Sequence, residues 1–227
     1  MLLKLALLAT PSVDALLLDM ETRDTFESQW SPAIVSVIYR PPARLLEDQS
    51  MTKPLEVNGF VLEGSAGEDP WIAAPAKRLE GVVNVKVRYA NGREATGAVE
   101  WPTDGRDAPL VRIRVSPLPP GVRTLRWADE ERIVLGRRAW IIERPKGRGP
   151  TGEFMESVLI DTEIGPLVEF PLERFWSARL RESEGMPLLD NDGGVLCVIF
   201  RTSPVDVTVA YCATSKWAFD VPKRAPQ

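Results

Sequence analysis

The chain has 227 residues, 28 Lys and Arg against 32 Asp and Glu, a formal net charge of -4, and no histidine. That length buries enough surface for one large domain or two fused small ones without a staple, and the acidic balance offers no overall positive field to nucleic acid or an anionic membrane. Without an imidazole, every mechanism that rests on a histidine base is excluded, and the commonest metal ligand is missing. No metal and no cofactor are therefore expected, and nucleic acid is not expected as a partner. The two cysteines, Cys197 and Cys212, form no C-x-x-C pair and sit in apolar runs. They read as buried free thiols, with a disulfide as the alternative.

The N-terminus, from Met1 to Thr10, is apolar but broken by Lys4 and has no basic segment ahead of it, so a folded segment is expected rather than a secretion signal. The expected location is cytoplasmic, and export is the alternative if this stretch is a signal. Thr10 can cap a helix with Pro11 in its first turn, and residues 1–30 read as a helical extension. Pro11, Asp14 and Asp19 interrupt the only long apolar run, so no membrane span is expected.

From residue 31 onward, 20 Pro and 16 Gly for the whole chain punctuate short apolar runs, which is the pattern of an all-β sandwich or barrel. Strands are expected at Ala33 to Tyr39, Val57 to Gly64, and Trp71 to Ala74. Val83 to Tyr89 alternates strictly between apolar and polar residues, and Asn91-Gly92 then joins it to a strand through Val99 and Trp101, the strongest short-range hairpin signal. Leu110 to Val115 alternates again, with the arginines on one face. Further strands are expected at Ile133 to Gly136, Ala139 to Ile142, Met155 to Thr162, Leu167 to Phe170, Val195 to Phe200 and Val205 to Tyr211. A short last helix spans Ser215 to Val221 and is stopped by Pro222. Composition gives no reason to split the chain.

The order of these pieces resembles the protease domain of the HtrA branch of trypsin-like serine proteases. Ser31-Pro32-Ala33-Ile34-Val35-Ser36-Val37 looks like that family's opening strand, and Asn58-Gly59-Phe60-Val61-Leu62 like its "G-S-G-F-V-I". Val85 to Arg88 with Asn91-Gly92-Arg93-Glu94 is similar to its "V-x-L-x-D-G-R-E" hairpin. Asp107-Ala108-Pro109-Leu110-Val111-Arg112-Ile113 is similar to "D-L-A-L-L-R-I", and Pro187-Leu188-Leu189-Asp190 with Gly194-Val195 to "S-G-G-P-L-L-D" and the strand after it. The resemblance covers about Ser31 to Val221. It implies an all-β, trypsin-like double β-barrel over residues 31–227, with a boundary between barrels near 116–130, a short N-terminal helical segment and a short C-terminal helix.

Carried over position by position, the family's Ser-His-Asp triad is retained at one place. Asp107 matches the Asp. The His position falls at Ala76 or, with a one-residue shift, Lys77, and the Ser position is Glu184. Glu182-Ser183-Glu184-Gly185 replaces the glycine-rich loop whose backbone N–H groups build the oxyanion hole. The resemblance therefore implies a degenerate protease, not an enzyme, that binds a protein or peptide as a scaffold or regulatory subunit. Two alternatives stand beside it: an unconventional hydrolase that uses Ser183, with Lys77 as base, or a carboxylate, and a structural subunit or substrate of another protease.

An ion pair between Glu184 and Lys77 or Arg78 is the most specific structural expectation. Phe200, Arg201 and Thr202 would line the old specificity pocket and offer a strand edge to an extended peptide. Trp176, in a segment with no strand match, is a candidate interface anchor.

Overall fold

Alternating apolar residues in runs too short for helices bury one face each only by pairing with neighbours. The computed structural model describes residues 13–42, 53–64, 68–101, 109–143, 158–170, 173–179, 185–202 and 209–215. After one helix, α1 (Val13–Trp30), come β1 (Ile34–Tyr39), β2 (Leu55–Leu62), β3 (Trp71–Pro75), β4 (Asn84–Arg88), β5 (Glu94–Glu100) and β6 (Leu110–Arg114). These six close into a barrel in the order β1-β2-β3-β6-β5-β4. The β4–β5 hairpin turns at Asn91-Gly92 as expected, with Asn91 Oδ1 accepting the Arg93 N–H at 3.1 Å. Val37, Val61, Ile72, Val87 and Ile113 are among the buried residues that fill the interior. Tyr89 belongs to the same core, and burial pushes its hydroxyl up to about 12, so the phenol stays neutral.

The second half holds β7 (Arg126–Trp127), β8 (Arg138–Glu143), β9 (Val158–Phe170), β10 (Glu173–Arg179), β11 (Pro187–Leu189), β12 (Gly194–Thr202) and β13 (Val209–Ala213). Their order is β11-β8-β9-β10-β13-β12-β7, and β11 also pairs with β12. That extra pairing returns six strands on themselves, leaving β7 attached alongside β12. The all-β double barrel is thus present.

The two halves share one core. Ile34, Phe60, Leu62 and Leu110 from the first barrel pack in one buried cluster with Trp140, Ile142, Leu188 and Val195 from the second. Residues 125–128 run between them. Leu125 exchanges backbone bonds of 2.8 Å with Val61 and Glu63 of the first barrel, while Ala128 donates to Val195 of the second at 2.9 Å. Helix α1 adds Phe26, whose ring centroid lies 5.5 Å from that of Trp140. The Arg138 guanidinium covers the Trp140 ring at 4.1 Å from its centroid, and Arg23 approaches the same centroid at 5.7 Å. Among the described residues no helix is long and apolar enough to cross a membrane.

Four expectations are corrected. The run Ile133 to Gly136 is not a strand: Val134 and Leu135 are exposed, and Gly136 turns the chain with φ of +77° where its N–H donates to Ile164 of β9 at 2.8 Å. The two strands expected at Met155 to Thr162 and Leu167 to Phe170 are one, β9, which pairs first with β8 and then with β10 and so crosses between neighbours. Residues 173–179 form β10, a strand the local pattern did not reveal. Cys197 and Cys212 are disulfide-bonded rather than free, since the antiparallel pairing of β12 with β13 brings their Cα atoms to 5.5 Å. The helix expected over Ser215 to Val221 falls, beyond its first residue, outside the described residues.

Candidate functional site

At the end of β3 the chain passes through Pro75 and Ala76 into a single 3-10 turn, Lys77–Leu79. Leu79 is buried and anchors the turn, while Lys77 points to solvent. Ala76 is buried, and its N–H donates to the Pro109 carbonyl at 2.9 Å. That bond fastens the segment at the family's His position to the start of β6, two residues after Asp107. From the other barrel, Gly185 enters β11 with φ of +84°, a conformation open mainly to glycine. Its N–H donates to Ile199 at 2.6 Å, and Ile199 donates back to Met186 at 3.0 Å, so β12 holds the entry to β11 in place.

Gly185 also lies directly on Pro75, whose ring atoms occupy the space a Cβ would need. Segments carrying or adjoining all three triad positions therefore meet at the seam between the barrels: 75–77, 109 and 185. Ala76 and Lys77 are at this seam. Asp107, Glu182, Ser183 and Glu184 fall outside the described residues, and with them the expected ion pair from Glu184 to Lys77 or Arg78. Phe200, Arg201 and Thr202 end β12, where a register shift between Ile199 and Arg201 marks a bulge at Phe200. Trp176 sits within β10, in register with Leu167 on β9 and Cys212 on β13, so its backbone is interior to the sheet rather than in a loop.

An Ala at position 185 is expected to cost about 1–2 kcal/mol for the left-handed backbone alone and to push Pro75 away from β11. Urea unfolding should show a larger loss for Gly185→Ala than for Gly121→Ala, at a glycine of similar φ with nothing within 4 Å. Equal losses for the two variants would count against a close contact between Gly185 and Pro75.

Sequence reasoning missed what supports the loop from below. Asp190 is completely buried in the β11–β12 turn. Its Oδ1 accepts the N–H groups of Asp192 and Gly194, both at 2.9 Å. Oδ2 lies 2.8 Å from Arg132 Nη1, close enough to pair charge though not aligned as a hydrogen bond. Arg132 also donates to Asp192, and that contact holds the Asp192 carboxyl below its ordinary range. Trp140 Nε1 donates to Asn191 Oδ1 at 2.9 Å. Gly193, with φ of +77°, lies against the Trp30 ring at the end of α1. The turn chemistry was visible in Asp190-Asn191-Asp192-Gly193, but nothing local pointed to Arg132 or Trp30.

No protein-family model matches the chain, and neither does any curated protein sequence. Among solved structures, the chain is similar to the Rv3671c protease of M. tuberculosis, inactive form, with a TM-score of 0.61 and 18% identity over 92% of this chain and 94% of that one. The active form of the same protease matches with a TM-score of 0.60 and 19% identity over 92% and 85%. An HtrA-type protease, AlgW, in complex with a tripeptide matches with a TM-score of 0.61 and 15% identity over 86% of this chain and 60% of that one. At such identities the likeness establishes the fold, which is the trypsin-like double barrel of HtrA-type proteases. It also corrects the expectation that the chain is not an enzyme: the solved proteins that share this architecture are proteases, one of them described in an active form.

Proposed function

We propose that the chain receives an extended polypeptide at the seam between its two barrels and acts on or through that protein partner. The observation that carries the reading is the convergence of Pro75, Ala76 and Lys77, the Pro109 carbonyl and Gly185 at one place. The bulged end of β12, with Phe200, Arg201 and Thr202, supplies a strand for main-chain pairing with the bound segment. That similar folds have been solved with a tripeptide and a decapeptide supports a peptide as the ligand class. Regulatory or scaffold partners of other proteins fit the same mode of binding.

The protease description of those neighbours favours a second step, hydrolysis of the bound peptide. With no histidine in the chain, that step needs another base, and the residues available are Ser183 as nucleophile with Lys77 to take its proton. A fluorophosphonate probe separates the possibilities. Stoichiometric labelling at Ser183, abolished in Ser183→Ala and reduced in Lys77→Ala, is the expected outcome for a hydrolase. Peptide binding by a chain that takes no label would leave the seam as a binding site and remove Ser183 as its nucleophile. The buried disulfide supports residence in an oxidising compartment.

A further inference from the structure

Away from the barrel seam, the first barrel opens along one of its own strand pairs. The β1–β4 ladder runs Ser36 to Arg88, Val37 to Val87 and Ile38 to Lys86, and stops there. Continuing the antiparallel register would set Tyr39 opposite Val85 and Arg40 opposite Asn84. Those pairs do not form, although both strands continue to pair on their far sides, Tyr39 with Leu55 on β2 and Asn84 with Ala98 on β5. The two strands diverge, and between them lies a cavity of about 480 Å³ lined by Ile38, Tyr39, Arg40, Pro54, Asn84, Val85, Lys86 and Arg88. That volume is within the range of binding sites for small ligands or a few residues of a peptide.

The lining is cationic. Lys86 and Arg88 both contact Glu94 at 3.0 Å, and Arg88 also lies 3.7 Å from Glu56. Among the described residues the cavity is lined by three cations, Arg40, Lys86 and Arg88, and the carboxylates in contact with them are Glu94 and Glu56, which lie against Lys86 and Arg88. Arg40 is exposed at the strand end, on the lip of the cavity. Ile38, Pro54 and Val85 supply apolar walls between the charged groups.

We propose that this opening in the first barrel binds an acidic peptide segment of a partner protein, with a carboxylate on Arg40 and apolar side chains against Ile38, Pro54 and Val85. The site is separate from the barrel seam and does not depend on any reaction there. The shape argues for an extended chain, because the cavity is bounded by two diverging strands, and the charge argues for carboxylates. The rim charges would set encounter rate and salt sensitivity, and the apolar walls would hold the bound segment.

The test uses the full chain and a fluorescein-labelled peptide of alternating Glu and Val, about eight residues long, read by fluorescence anisotropy. Saturable binding is expected, weakened at least about tenfold in Arg40→Glu, where attraction becomes like-charge repulsion, and in Asn84→Glu, which adds a carboxylate to the lining, and weakened by added salt. Both positions are exposed, so unchanged thermal unfolding shows that each variant still folds, and either one suffices. An alternating Gln and Val peptide should bind far more weakly. Absence of saturable binding, equal binding of the Gln peptide, undiminished binding by a folded variant, or displacement by inorganic phosphate at the same concentration as an unlabelled Glu peptide would each overturn the proposal.

Discussion

Replacing Asp190 by Ala is expected to destabilise the protein by about 3–5 kcal/mol, the cost of breaking a buried ion pair by removing one partner. The carboxylate is fully buried, and its loss strips acceptors from two backbone N–H groups and the nearest counter-charge from Arg132. Arg132→Ala should cost less, because that side chain is one-third exposed and water replaces part of what it loses. Urea unfolding of both single variants and the double variant gives the coupling between them. A loss below about 1 kcal/mol for Asp190→Ala would mean that the turn relaxes and rehydrates on its own. The consequence for function is positional: the same turn leads from β11, whose entry is Gly185, into β12.

The second large effect belongs to the disulfide. Cys197 and Cys212 close a loop with a sequence separation of 15, for which the chain-entropy argument gives about 3 kcal/mol. The Cys197→Ala/Cys212→Ala variant should unfold at correspondingly lower urea, and reductant should lower the stability of the wild type while leaving the variant unmoved. Identical unfolding of wild type with and without reductant, after confirmation that the thiols are free, would show that β12 and β13 need no cross-link.

Much of the first barrel was legible because its information is local. Val85 and Val87 alternate with Lys86 and Arg88, and Asn91-Gly92 fixes the hairpin, so strand, register and turn are all written within about a dozen residues. The frame Pro187-Leu188-Leu189-Asp190 was equally clear. What escaped was written in pairs far apart in the chain. Residues 173–179 carry no clear alternation of their own, and it is their pairing with β9 on one side and β13 on the other that makes them a strand. The cysteines looked like ordinary core residues, and only the register of β12 on β13 makes them neighbours. Phe26 and Trp30 belong to the stretch expected only to be a helical extension, yet each meets the second barrel, Phe26 at Trp140 and Trp30 at Gly193. At the site itself, the segments around Ala76, Pro109 and Gly185 meet, while Asp107, Ser183 and Glu184 lie outside the described residues. The inference that altered triad positions mean no enzyme did not survive comparison with the proteases that share the fold.

Residues 125–128 give the molecule a mechanical character. Leu125 is laced to Val61 and Glu63, Arg126 and Trp127 run parallel to Gly194 and Val195, and a common apolar cluster fills the space behind them. A connection of that kind is a weld rather than a hinge: rotation of one barrel against the other would break backbone bonds on both sides at once. The placement of one barrel against the other is therefore fixed by the same bonds and packing that hold each barrel together, and the close approach of Pro75 to Gly185 across the seam follows from that placement.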